Sequence, residues 1–153
     1  MNHFTRVALL APITIAALLA GCATDAPQAS KPLPQSVPDI AIVIDCEKCE
    51  VGPTVPELIR TGYAAAAAKW GVPIARGTQF TVTIKDYSER GLAMRVVAVV
   101  AGPLAFALKD EIKAVATIDG KQWPLEHQER NPFQGMDAVA QRLGELSFDA
   151  VVK

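Results

Sequence analysis

The sequence predicts an α+β domain, a two-layer sandwich of a mainly antiparallel sheet with two helices on one face, in the order β-α-β-β-β-β-α. Three observations carry this. Two stretches, 55–70 and 136–150, place apolar residues at helical spacing. Between them, much of 78–127 alternates apolar and polar residues with the two-residue period of a half-buried strand. Asp119-Gly120 then interrupts the alternation as a two-residue hairpin turn, because both residues tolerate positive φ. Helices that flank a block of strands point to a two-layer α+β sandwich.

The first element is the apolar run Ile40-Ala41-Ile42-Val43-Ile44, ending at Asp45. An uninterrupted run of this length reads as a strand covered on both faces or lying centrally. After the Gly52-Pro53 break, Thr54 and Glu57 fit a capping box, in which hydroxyl and carboxylate satisfy free backbone amides reciprocally. Val55, Leu58, Ile59, Tyr63, Ala66 and Trp70 fall on one helical face, and the run Ala64 to Ala68 has the highest intrinsic helix propensity. Gly71 supplies a left-handed cap and Pro73 prevents continuation. This helix is expected to make a right-handed crossover to the next strand.

In the strand expected over 78–86, Phe80, Val82 and Ile84 point one way and Thr81, Thr83 and Lys85 the other. A polar turn, 87–91, leads to a further strand over 92–101, closed by Gly102-Pro103. Leu104, Phe106 and Leu108 then share parity with Ile112, Ala114, Ala116 and Ile118. Asp110 falls in phase among them, so a break or bulge is expected near 109–111. Residues 121–127 return as the last strand. Met136, Val139, Ala140, Leu143, Leu146 and Ala150 mark the second helix.

Ahead of the domain, Arg6 is followed by the apolar run Val7 to Ala20 and then Gly21-Cys22. That run is 14 residues long and contains Pro12 and Thr14. Crossing a bilayer takes about 20 apolar residues, so a signal h-region fits better than a transmembrane helix. Leu18-Leu19-Ala20-Gly21-Cys22 resembles the lipobox of bacterial lipoproteins in residue type, spacing and distance from the start. The resemblance implies cleavage before Cys22, a diacylglyceryl thioether on its sulfur and acylation of the new amino group. Its partner would then be the lipid bilayer, reached through several acyl chains that together hold far more firmly than one. Ala23 stands where an aspartate commonly signals inner-membrane retention. In a Gram-negative host the resemblance therefore implies the outer membrane, facing the periplasm.

The chain divides into a signal peptide over 1–21, a lipidated cysteine and tether over 22–38, and one domain over 39–153. Pro27, Pro32, Pro34 and Pro38 lie among Ser, Gln and Asp in the tether. Polyproline geometry gives it a maximum reach of about 50 Å. Losing residues 1–21 removes Arg6 and no acid, so 15 Lys+Arg fall to 14 against 16 Asp+Glu, a formal net of −2. No polybasic patch appears, which argues against a nucleic-acid partner. A hydrophobic content of 50% argues against disorder.

Cys46-Glu47-Lys48-Cys49 is the first candidate for chemistry. It fits a thiol–disulfide redox pair, half of a zinc site shared across a dimer with His127, a local disulfide, or two inert thiols. Asp45, Glu47 and Glu50 crowd the pair, which disfavours a thiolate. A structural disulfide is the preferred reading. Closing so small a loop is worth about 2 kcal/mol on the chain-entropy model. His127 and Glu129 share a side if the last strand persists, but no nucleophile motif or phosphate-binding loop accompanies them. The chain is therefore expected not to be an enzyme and to need no metal or cofactor.

The outer sheet face is expected to carry Thr81, Thr83, Arg95, Val97, Val99, Lys113, Val115 and Thr117. Arg95, Val97, Val99 and Val115 form the candidate interaction surface, since a solvated sheet face is ordinarily more polar. Trp70 is expected in the core, and Trp123 is either half-buried or part of a contact surface. From Phe80 through the second helix the chain is similar to a broad set of uncharacterised small α+β bacterial lipoproteins. The function expected is a membrane-tethered envelope module that binds a protein partner or a second copy, with thiol-redox or metal handling through Cys46 and Cys49 as the alternative.

Overall fold

Among the described residues six elements follow one another: β1 (Val37–Ile44), α1 (Val55–Lys69), β2 (Ile74–Ser88), β3 (Asp110–Ile118), β4 (Lys121–Glu129) and α2 (Met136–Val152). The structure is a computed structural model and describes residues 32–91, 96, 109–131 and 133–153. The strands form one sheet in the order β1-β2-β3-β4, with β1 parallel to β2 and the other neighbours antiparallel. Both helices pack on each other and on one sheet face, giving the α+β sandwich. The strand expected over 92–101 lies outside the described residues, apart from Val96, which is helical. β2 pairs directly with β3.

Period-two alternation places the core as expected. Phe80, Val82 and Ile84 of β2 are buried, as are Ile112, Ala114 and Ala116 of β3 and Leu125 of β4. The register sets Val82 beside Ala116 and Ala114 beside Leu125, so these side chains form continuous cross-strand rows beneath the helices. Asp119 and Gly120 have φ of 50° and 76°, the two positive values that a tight hairpin turn requires. The sheet begins earlier than the tether boundary suggested, since Val37 and Pro38 already pair with β2. The register with β2 jumps after Pro38, where Gly77 at φ 89° lets the chain bulge outward.

Three local expectations are corrected. Thr54 is the residue before α1, but it has helical dihedrals and its hydroxyl caps nothing. The chain enters through a turn instead, with the Val55 N–H donating to the Gly52 carbonyl and the Leu58 N–H to the Thr54 carbonyl, each at 3.0 Å. Trp70 is 57% exposed. It ends α1 as the cap residue, and the packed stripe is Val55, Ile59, Gly62, Tyr63 and Ala67. The third correction concerns β1, which is an edge strand among the described residues. Helix cover reaches Val37 and Ile40, and it fades toward the exposed Val43 and Ile44.

The helices approach at two glycines. A Cβ on Gly62 would stand 2.0 Å from the Gln141 carbonyl oxygen, and one on Gly144 would stand 2.1 Å from the Ile59 carbonyl oxygen. Backbone thus meets backbone, which brings Tyr63 and Phe148 together over the sheet. Their rings lie 6.1 Å apart in an edge-on arrangement, and Tyr63 also meets Phe80 at 5.5 Å. The Tyr63 hydroxyl donates to the Pro38 carbonyl at 2.6 Å. Burial, with the Asp39 charge beside it, pushes this phenol well above its ordinary value.

Candidate interaction site

An extended strand sends successive backbone N–H groups to alternate sides. The N–H groups of Val37, which opens β1, and of Asp45, which follows it, donate to β2 or its lead-in, to the carbonyls of Pro73 and Ile84. Odd-numbered residues therefore face β2, and Pro38, Ile40, Ile42 and Ile44 face the edge. The first half of that edge is closed from within. Pro38 has no N–H and its carbonyl is taken by Tyr63. The Ile40 N–H donates to Asp39 Oδ1 at 2.8 Å. Among the described residues, the second half has no such cover: the Ile42 and Ile44 amides face outward beside Val43 and Ile44 side chains that are 45% and 50% exposed.

The opposite edge is guarded differently. β4 carries Pro124 in its middle and Lys121, Glu126 and Glu129 along its length. Proline and charge are the usual means of discouraging strand addition. The two edges thus differ, and the open one is apolar.

On the outer face, Val115 stands in a cross-strand row with Val43, Thr83 and Pro124. It is half-buried. Arg95, Val97 and Val99 lie outside the described residues, as does Cys22. A charged ladder borders this row: Lys113 Nζ lies 3.7 Å from Asp86, and Lys109 donates to Glu111 at 2.7 Å. The hydrogen bond from Lys109, opposed by burial and aided by the Lys109 and Lys113 charges, holds the Glu111 carboxyl below the usual range.

Cys46 and Cys49 are joined across the turn that follows β1, with Cα atoms 5.7 Å apart. Both are half-buried, while Asp45, Glu47 and Glu50 beside them are exposed. Lys85 donates to Asp45 at 2.5 Å, tying this turn to β2. α1 begins at Val55, so neither sulfur sits at a helix N-terminus. The pair is placed to brace the end of the open edge.

His127 and Glu129 do share the helix-facing side of β4, which persists to Glu129. Glu129 Oε1, however, accepts from the Asn131 N–H at 2.7 Å. Burial and the Arg142 charge hold the His127 imidazolium pKa below its ordinary value, against the opposite pull of Glu129 and Glu145. Residues 101–108 lie outside the described ones, and within the stretch where a break or bulge is expected β3 begins at Asp110. This residue is fully buried and takes the Arg90 N–H at 2.7 Å and its guanidinium at 2.8 and 3.2 Å. The same guanidinium donates to the carbonyls of Glu129, Arg130 and Asn131.

Two features escaped the sequence reading, the open half of β1 and the Arg90–Asp110 pair. Pro38 and Asp39 at the head of an apolar run were a signal for the first, since proline within a sheet belongs to an edge. Asp110 in apolar phase was a signal for the second. Comparison of the sequence with protein-family models and with curated proteins returned no match.

Proposed function

We propose that this chain is a lipid-anchored protein of the cell envelope whose domain is a non-enzymatic binding or assembly module. The open half of the β1 edge is the observation that carries the binding role, because proteins ordinarily close an apolar edge against stray pairing. Val115 extends the same surface through its row with Val43. The anchor rests on the lipobox at Leu18 to Cys22. In a two-membrane host it sets the domain at the outer membrane, facing the periplasm, and the proline-rich tether holds it off the bilayer.

Crosslinking in intact cells followed by pull-down through the domain tests the binding role. Val43→Asp adds a charge to an exposed edge position and is expected to remove the crosslinked partner with the circular dichroism spectrum unchanged. An identical partner set in this variant overturns the reading. Cys22→Ser is expected to shift the chain from the membrane to the soluble fraction. Retention in the membrane would count against the anchor.

A further inference from the structure

We infer that Ile42 to Ile44 is a strand-addition site for an extended segment of another protein, apolar in its middle and basic at its ends. The inference rests on the binding-module reading and supplies the mode of binding and the chemistry of the partner.

Three observations converge on it. Among the described residues, outward-facing donors remain at Ile42 and Ile44, whereas Pro38, Tyr63 and Asp39 occupy the positions before them. A visiting strand therefore has one stretch on which to form its ladder, and that restriction defines its register. Next to the closed half, between β1 and α1, lies a hollow of about 500 Å³ lined in part by Asp39, Ile40, Arg60 and Tyr63. A strand continuing along β1 would pass over this hollow and have somewhere to place a side chain. The third observation is charge. Asp39 stands at one end of the open stretch, and Asp45, Glu47 and Glu50 crowd the other against Lys48 and Lys85. A segment with cations at its ends is complementary to that arrangement.

The same charges argue against a second copy of this chain. Antiparallel pairing of two β1 strands centred on Val43 sets Asp39 of each copy near Glu47 of the other. Like charges facing across a strand pair are destabilising, and this pairing creates the conflict twice.

The test uses the full chain in detergent and a labelled peptide of alternating valine and threonine with lysine at both ends, read by fluorescence polarisation. Saturable binding is expected. Ile44→Pro removes only an outward donor, because the Asp45 N–H still pairs with β2, and it is expected to weaken binding about tenfold. If that variant fails to fold, N-methylation of alternate peptide amides makes the same test on the unaltered protein, with a loss of similar size expected. Glutamate in place of the terminal lysines is also expected to weaken binding about tenfold. Unchanged affinity for the methylated peptide overturns strand addition, and equal affinity for the glutamate peptide overturns the basic partner. A dimer in sedimentation that Ile44→Pro dissociates puts a second copy on the edge and overturns the inference. Failure of the lysine peptide to bind overturns it too, while loss of a crosslinked partner in Val43→Asp leaves the binding-module reading standing.

Discussion

Arg90 and Asp110, twenty positions apart, form an ion pair of 2.8 Å in which the side chains are 3% and 0% exposed. The pair joins the end of β2 to the start of β3. Through three further carbonyl contacts, Arg90 also gathers the end of β4 and the segment entering α2. Four parts of the chain meet on one guanidinium. Asp110 orients that guanidinium with two of its bonds and with the backbone bond from the Arg90 N–H.

Asp110→Ala is expected to cost about 3–5 kcal/mol, the usual loss when one member of a buried pair is removed. Urea denaturation measures it. Replacing both residues, Arg90→Met with Asp110→Leu, should recover part of the loss. Full recovery is not expected, because the three carbonyls lose their donor. A cost below about 1 kcal/mol for the single variant would place the pair among exposed bridges of little weight.

Gly62→Ala and Gly144→Ala should each destabilise the domain. In an ordinary helix interior the same change stabilises by roughly 0.5–1 kcal/mol. Here the added methyl meets backbone at about 2 Å, and the helices must separate. Overpacking of this kind costs about 1–3 kcal/mol or more. The sign of the shift in thermal midpoint decides the matter, and a rise in either variant would contradict close helix contact.

His127 makes stability depend on pH in a stated direction. Burial first, then Arg142, lowers its folded-state pKa below the ordinary 6.5. The unfolded chain then binds the proton more readily than the folded one. Stability is fully present above pH 6.5 and is lost as pH falls through the depressed folded value. His127→Gln should flatten that part of the curve in pH-dependent denaturation. Glu111 acts lower on the scale by the same logic, since its depressed pKa contributes stability above its ordinary 4.5 that is lost in acid.

Replacing Cys46 and Cys49 by alanine together is expected to cost about 2 kcal/mol on the chain-entropy model for so short a loop. Recovery of the crosslinked partner should be unchanged. Loss of the partner with stability intact would instead favour the thiol-redox alternative.

The interior was largely legible in advance. Phe80, Val82, Ile84, Ile112, Ala114 and Ala116 are buried as their alternation requires, and α2 spans Met136–Val152 where its apolar spacing placed it. Val115 alone links the expected interaction surface to the described open edge. Trp70 shows why a continued period misleads: it has the right phase, but the chain leaves the helix there. Thr54 shows that residue type permits a cap without enforcing one.

Period, turn chemistry and helix ends are local properties, and they sufficed for the α+β class, the Asp119-Gly120 hairpin and the positions of both helices. The resemblance of Leu18 to Cys22 to a lipobox is also local, resting on a short string at a set distance from the start. Edges and partners are not local. An apolar run reads alike in a central strand and an edge strand, and only the order β1-β2-β3-β4 leaves Ile42 and Ile44 facing outward. Asp110 looked like a fault in the alternation until folding brought Arg90 to it. Gly62 and Gly144 carry no local signal of their role, which exists only where the two helices touch. Each of these depends on residues far apart in the chain, which no local pattern records.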